Sequence, residues 1–182
     1  TQGVSSAASD VYKRQDQQQR SLREMAEQPP RATLAPTRDA APGGTPQRAV
    51  HDADNTTTLP GTLARAEGRP ASGDVAVDEA YAHLGATYKL FWDIYKRHSI
   101  DGHGLPLVGT VHYGEDYDNA FWNGAQMVFG DGDGEVFNRF TIAVDIIGHE
   151  LTHGVIDSEA GLLYQGQSGA LNESLCLSLI HI

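Results

Sequence analysis

Three residues in the last third of the chain have the types and the spacing to bind a metal ion and to move a proton. His149 and His153 are four positions apart, so on an α-helix they lie one turn apart and face the same way. Two such imidazoles can bind one Zn²⁺ without bending the backbone, and Glu150, about 100° around the axis from His149, lies beside the metal. Its carboxylate is then available to accept a proton from an attacking water. The same string arises by chance in on the order of one chain in a few hundred, so an ordinary helix stays the alternative.

A third ligand is expected from the segment that follows. Residues 166–175 have the pattern of a second helix, with Ser168 as the candidate amino-terminal cap and Glu173 one turn inside. The intervening loop contains glycine and is long enough to reverse the chain, so Glu173 can approach the metal. Two histidines, one glutamate and an open position are typical of a hydrolytic zinc site. Taken alone, Glu173 is better interpreted as an exposed helix carboxylate, and only the histidine pair reverses that preference.

The helix that carries the histidine pair is predicted over residues 142–159. Its apolar residues recur at every fourth position, at Ile147, Leu151 and Val155. Gly161 stands just beyond the pattern as a candidate carboxy-terminal cap. The prediction is therefore a helix of about four turns.

A longer helix is predicted over residues 75–97, with Asp74 or Asp78 as its cap and residues 101–102 following its end. Its large apolar side chains recur at spacings of three and four, at Tyr81, Leu84, Tyr88, Phe91, Trp92 and Tyr95. Such an aromatic stripe could form a ligand box, but this spacing is far more typical of a helix face that packs on a core. We therefore interpret the stripe as core.

Two short β-like runs flank a segment that is both polar and aromatic. Residues 107–113 and 125–130 predict strands bounded by glycine-rich turns. Residues 114–124 predict either a folded-back hairpin or a binding surface, and composition alone favours the structural alternative. Residues 130–135 superficially resemble a calcium loop, but an EF-hand would require glycine and glutamate where Val136 and Ile142 stand, so a tight turn is predicted.

Charge divides the 182 residues into two unlike parts. Residues 1–50 hold 7 basic and 5 acidic side chains and little apolar material, whereas residues 51–182 hold 6 basic and 19 acidic side chains and all eight histidines. We therefore predict that residues 1–49 are a disordered leader, such as the end of a pro-segment. The net charge of −11 argues against nucleic-acid binding, and a single cysteine excludes an internal disulfide. Neither a membrane-spanning run nor a signal peptide is visible in the chain.

Several motifs follow one another in the second part. They are NTTTLPG (55–61), VHY (111–113), NAFWNG (119–124), MVFGDGDG (127–134), HELTHGV (149–155), AGLLYQ (160–165) and SGALNES (168–174). In this order they resemble the thermolysin-like neutral metallopeptidases, from about His51 to Leu175. The resemblance implies an α+β fold in which residues 50–175 form the amino-terminal catalytic lobe, whose β-rich part leads into the zinc-binding helices. It also implies a secreted zinc endopeptidase, made with its own pro-segment, that cleaves proteins and peptides beside a bulky apolar residue.

The resemblance also assigns roles to individual residues. It implies that His149, His153 and Glu173 bind Zn²⁺ and that Glu150 is the general base. The remaining assignments are Tyr164 for oxyanion stabilisation, Asn119 and Ala120 for binding the peptide backbone of the substrate, and Asp145 for structural Ca²⁺. The assignment of Asn119 and Ala120 reverses the structural preference for residues 114–124.

The chain departs from the family pattern after Leu175. The pattern calls for a Ser-Asp pair, whose aspartate would orient His149, and here Cys176 and Leu177 stand in those positions. We expect residues 176–182, and residues 10–15 of the leader, to be non-native, and the family's helical carboxy-terminal domain to be largely missing. We therefore interpret the chain as an incomplete fragment that is inactive by itself. The alternative is a non-catalytic metal-binding or interaction module derived from such a peptidase.

Overall fold

The computed structural model describes residues 43–135 and 137–181, and these form one mixed β-sheet with three α-helices. The strands are β1 (Arg48–Asp52), β2 (Thr62–Ala66), β3 (Leu107–Val111), β4 (Ala120–Trp122) and β5 (Met127–Phe129). The helices are α1 (Val75–Tyr95), α2 (Val144–Glu159) and α3 (Gly166–Ile180), and a short 3₁₀ helix, Phe140–Ile142, precedes α2. The predicted α+β class is confirmed, as is the order in which a β-rich lobe leads into the helix with the histidine pair.

The sheet has the strand order β2-β1-β3-β5-β4. The three inner strands are parallel, and each edge strand is antiparallel to its neighbour. β4 and β5 form a hairpin that pairs Ala120 with Phe129 and Trp122 with Met127. Residues 114–124, predicted as a hairpin or a binding surface, therefore contain an edge strand.

The predicted helix over residues 75–97 is α1, which begins and ends close to the expected positions. Asp74 is its cap, because its Oδ1 accepts a hydrogen bond from the amide of Val77 at 3.0 Å. Asp78 instead pairs with Arg65 at 2.7 Å. The helix ends where Lys96 adopts a left-handed conformation with φ of 54°. Most of the aromatic stripe is buried, which confirms its interpretation as core.

α2 lies at the centre of the packing, in contact with α1, α3 and the β4–β5 hairpin. The core between the helices and the sheet includes fully buried apolar side chains from every layer, among them Val50, Leu84, Met127, Phe129 and Ile147. Gly161 ends α2 as predicted: its φ is 53°, and its amide donates to the carbonyl of Ile156 at 3.0 Å. The histidine pair is thus carried by a helix that packs against both other helices and the hairpin.

Four differences from the sequence-based expectations concern boundaries. β1 begins at Arg48, two residues inside the predicted leader, and residues 1–42 lie outside the described part of the chain, as do the expected non-native residues 10–15. α3 continues without a break into the predicted tail, as far as Ile180. Val144 rather than Ile142 begins α2.

The fourth difference is that Ser168 does not cap α3. It lies inside the helix, and its hydroxyl donates to the carbonyls of Leu163 and Gln165 instead of accepting from the first amides.

Among the helices in the described part of the chain, none combines the length and the hydropathy that a bilayer crossing requires.

Candidate active site

The second and third turns of α2 place the two histidine rings side by side. Nε2 of His149 lies 3.1 Å from Nε2 of His153, and the rings meet edge to face with their centroids 4.8 Å apart. His153 is buried and His149 is half-buried. The two ring nitrogens are therefore adjacent, as the helical spacing of the histidines predicted.

Glu173 reaches the same nitrogens from α3. Its Oε2 lies 3.2 Å from Nε2 of His149, and its Oε1 lies 3.5 Å from Nε2 of His153. The loop of residues 160–165 reverses the chain so that α3 packs along α2. The structure thus brings together all three residues that the sequence predicted as zinc ligands.

The geometry of these three side chains fits a zinc ion. Two ligand atoms of a tetrahedral Zn²⁺, each about 2.0–2.1 Å from the metal, are about 3.3 Å from one another. The measured separations of 3.1, 3.2 and 3.5 Å lie around this value. Two imidazole nitrogens and one carboxylate oxygen are also a donor set that zinc commonly uses, with a fourth position open for water or substrate.

Asn172, which the sequence analysis did not single out, fixes the orientation of His153. Its Oδ1 lies 2.7 Å from Nδ1 of His153, and the asparagine is 2% exposed. The amide oxygen can only accept, so Nδ1 carries the proton and Nε2 offers its lone pair towards the zinc position. Asn172 directly precedes Glu173 in the sequence, and this was the only hint of its role. No sequence pattern marks an asparagine as the hydrogen-bond partner of a metal-binding histidine.

Cys176 was likewise not predicted near the metal. With His149 and His153 it forms a group whose possible ligand atoms all lie within 4.8 Å of one another. Its Sγ is 3.3 Å from Nδ1 of His153, the nitrogen that Asn172 already engages, and this nitrogen is on the ring edge away from Nε2. Glu173, which approaches Nε2 of both histidines, is therefore the better third ligand.

Glu150 is 8% exposed and is held by the edge strand. The amide of Trp122 donates to its Oε2 at 3.2 Å. The position of Glu150 on the helix, about 100° around the axis from His149, places it beside the histidine pair. The contact with Trp122 depends only on a backbone amide, so no residue type in the sequence could reveal it.

A glycine allows α2 to approach this strand closely. A Cβ on Gly154 would lie 3.1 Å from the Trp122 ring and 3.1 Å from the side chain of Ile100. A side chain at this position would require the Trp122 ring and the Ile100 side chain to shift by a few tenths of an ångström. Gly154 therefore helps to set the distance between Glu150 and the strand that binds it.

Asn119 and Ala120 lie where the sheet ends. β4 is an edge strand, and its hairpin with β5 leaves one of its sides without a neighbouring strand in the described part of the chain. The side chain of Asn119 accepts from the amide of Ala120 at 2.9 Å, and the carbonyl of Asn119 accepts from Gly130. An edge strand of this kind can pair with an extended peptide through its main chain.

Tyr164 stands next to the histidines in the loop between α2 and α3. Its ring and that of His153 meet edge to face with centroids 5.8 Å apart. An open groove of about 750 Å³ runs from this tyrosine along α3, with Glu173, Ala170 and Leu177 in its lining. Of the three candidate zinc ligands, Glu173 lines this groove.

Comparison with known proteins decides what kind of site this is. Residues 9–157 match the family model described as "Thermolysin metallopeptidase, catalytic domain". The chain belongs to the thermolysin family of metallopeptidases. The matched residues include His149, Glu150 and His153, and Glu173 lies beyond them.

Individual members of the family are similar at high identity. The chain is 66% identical over 134 residues to an extracellular metalloprotease of Pectobacterium carotovorum subsp. carotovorum, covering 74% of this chain and 39% of the relative. It is 48% identical over 129 residues to a thermolysin of Alicyclobacillus acidocaldarius subsp. acidocaldarius, covering 69% of this chain and 23% of that relative. Among solved structures, the precursor of protealysin, a metalloproteinase from Serratia proteamaculans, is 60% identical with a TM-score of 0.76, over 78% of this chain and 44% of that one. The chain thus spans less than half of each of these relatives.

Two positions near the zinc helices bear on the thermolysin-family assignments. Asp145 is exposed in the first turn of α2, and among the described residues it is not part of any cluster of three metal-ligating side chains. Leu177, which stands where the family pattern has an aspartate, is 48% exposed. Its side chain has no hydrogen-bond acceptor, so it cannot orient His149 as a carboxylate would.

Proposed function

We propose that this chain is part of a secreted zinc endopeptidase in which His149, His153 and Glu173 hold one Zn²⁺ and Glu150 is the general base. The proposal rests on the finding that the three candidate zinc ligands meet one another and that Glu150 contacts the edge strand. Three donor groups converge at 3.1–3.5 Å, while a second carboxylate, that of Glu150, accepts a hydrogen bond from the amide of Trp122 in the edge strand. Metal binding alone would need no such fourth group.

The chemistry follows from these positions. A zinc ion bound by the three side chains lowers the pKa of a coordinated water towards about 7 and polarises the carbonyl of the peptide to be cut. Glu150 accepts a proton from the attacking water and delivers it to the leaving amine. The hydroxyl of Tyr164 donates a hydrogen bond to the oxygen on which negative charge develops. Burial of Glu150 and His153 strengthens these electrostatic interactions by excluding water.

The edge strand supplies the substrate site in this proposal. A peptide that extends β4 through its main chain would lie along Asn119 and Ala120, next to the strand that holds Glu150. Binding energy from the main chain suits an enzyme that cuts internal bonds, since every residue of a protein substrate offers the same backbone groups.

Secretion, a pro-segment and calcium complete the proposal. An extracellular metalloprotease among the relatives and a precursor among the solved structures support the first two, with the end of the pro-segment lying before β1. Calcium at Asp145 rests on the family resemblance, and its site would need further oxygen ligands because Ca²⁺ takes six to eight.

The test compares the chain with its E150Q variant, both loaded with zinc, and repeats the comparison in a longer version of the protein if the parent chain does not cleave. We expect E150Q to keep its zinc and to cleave casein or a short peptide about 10²–10⁴-fold more slowly than an active, chelator-sensitive parent. Full activity of metal-replete E150Q would overturn the assignment of the base. Stoichiometric zinc without cleavage in the chain and in the longer version would favour the alternative, a non-catalytic metal-binding module.

A further inference from the structure

A charged cluster outside the zinc site joins three parts of the fold. His112, directly after β3, lies between two carboxylates: its Nδ1 is 2.7 Å from Oδ2 of Asp131, and its Nε2 is 3.2 Å from Oδ2 of Asp74. Ionised carboxylates only accept hydrogen bonds, so both ring nitrogens must donate and the imidazole is cationic. Arg139, which forms an ion pair with Glu79 at 2.7 Å, lines an open cavity together with His112 and the two carboxylates.

The backbone holds His112 in this place. Its φ is 53°, in the left-handed region that few non-glycine residues adopt. The carbonyl of His112 accepts from the amide of Asn55 at 2.9 Å, and the next amide, of Tyr113, donates to Phe129 at 3.1 Å. The neighbouring chain therefore fixes an unusual conformation that presents the imidazole to the two carboxylates.

Asp131 belongs to a loop that forms backbone hydrogen bonds with the segment before β4. The amide of Gly130 donates to the carbonyl of Asn119 at 2.9 Å, and that of Gly132 donates to the carbonyl of Tyr117 at 3.2 Å. The approach is so close that a Cβ on Gly130 would lie 1.9 Å from the carbonyl oxygen of Tyr117. Whatever holds Asp131 therefore also positions Asn119 and the start of the edge strand.

We propose that His112 is a positioning residue for the substrate-binding edge strand, acting through Asp131 on the hydrogen bonds of Gly130 and Gly132. The substrate part of this inference rests on the proposed function, whereas the positioning part rests on the contacts alone. Asp74 anchors the other side of the imidazole, because its Oδ1 caps α1 while its Oδ2 faces His112. The cluster thereby fixes the loop and the strand relative to α1.

The experiment uses the whole chain and two ways of cutting the contact. H112N keeps a residue type that tolerates the left-handed conformation, and D131N removes the charge from the loop side with almost no change in shape. We expect amide hydrogen exchange, followed by NMR, to show about a tenfold loss of protection at Gly130 and Gly132 in either variant, as removing a hydrogen bond to a charged group predicts. The double variant should lose no more than either single one.

The matched control is D74N. Asparagine caps a helix as well as aspartate does, so this variant keeps both α1 and the contact of His112 with Asp131. We expect its Gly130 and Gly132 amides to stay protected, and the amide of Leu84 in α1 to stay protected in all variants. Parental protection of Gly130 and Gly132 in folded H112N or D131N would overturn the proposal.

A second readout tests the effect on substrate. If the parent chain cleaves a short peptide, H112N should raise KM about fivefold and leave kcat nearly unchanged, because the strand contributes to binding and not to the proton transfers. An unchanged KM in an active parent would overturn the substrate part of the proposal. A parent that does not cleave counts against the proposed function alone, and amide exchange then still decides whether His112 positions the loop.

Discussion

His153 shows how one ring can serve the metal with one nitrogen and the fold with the other. Its Nε2 lies among the donor atoms of His149 and Glu173, and its Nδ1 is engaged by Asn172 at 2.7 Å. The asparagine is buried, so the ring cannot rotate without breaking a hydrogen bond that water would not replace. The tautomer that binds zinc is therefore the resting state of the side chain.

This gives a prediction for Asn172. N172A should weaken zinc binding by about 10–100-fold, the usual effect of removing a partner that orients a metal ligand. N172D is the control, because it keeps an oxygen at the same position and should bind zinc nearly as the parent does. A competition titration with a chromophoric chelator measures both. Parental zinc affinity in N172A would show that packing alone holds the ring.

Sequence reasoning could find the residues of this site whose types are chemical signals. His149 and His153 were predicted because two imidazoles one helical turn apart suit a single metal ion, and Glu173 was predicted only in combination with that pair. Asn172 and Trp122 were not predicted, since one acts through an amide oxygen and the other through its main chain. Both contributions exist only once α2, α3 and β4 are packed.

Two glycines of α2 differ in the space that surrounds them. A Cβ on Gly148 would meet only the side chain of Ile180, at an ordinary 3.7 Å, whereas a Cβ on Gly154 would press on Trp122 and Ile100 at 3.1 Å. Glycine in a helix interior costs about 0.5–1 kcal/mol relative to alanine when nothing opposes the new methyl group.

We therefore expect G148A and G154A to differ in sign. G148A should raise the free energy of unfolding by about 0.5–1 kcal/mol. G154A should lower it by about 1 kcal/mol, because the crowding of Trp122 outweighs the gain in helix propensity. Urea denaturation of the two variants and the parent measures this, and equal stabilisation by both would show that β4 can move away from α2 at little cost.

The elements themselves were predictable where an apolar pattern runs through them. α1 and α2 have apolar stripes over many residues, and β3 and β5 have apolar runs, so their patterns survive in the sequence. β1 and β2 interrupt their apolar residues with charged side chains, and β4 is only three residues long within a polar segment. Pairing with neighbouring strands decides their structure, and no local pattern reports that pairing.

At the scale of the whole molecule, the His112 cluster makes stability depend on pH. The hydrogen bond to Asp131, more than any other contact, raises the pKa of His112 from 6.5 to about 9, against the opposing effect of burial. A pKa raised in the folded state means that the stabilisation is complete below about pH 6.5 and is lost as the pH rises through about 9.

The parent should therefore lose stability relative to H112N between pH 6.5 and 10, by on the order of 1–3 kcal/mol. Urea denaturation of both proteins at each pH measures the difference, which removes the contributions of groups that titrate in both. A difference that stays constant over this range would show that His112 is neutral in the folded chain or is unpaired.

In the proposed site Glu173 holds the metal and Glu150 does not. The most direct measurement is the zinc dissociation constant of the matched variants E173Q and E150Q, with C176S as a third. We predict that E173Q weakens zinc binding at least about a hundredfold, beyond the usual effect of an outer partner, and that E150Q and C176S bind zinc as the parent does. Loss of zinc binding in E150Q with retention in E173Q, or loss in C176S, would overturn the assignment of Glu173 as the third ligand.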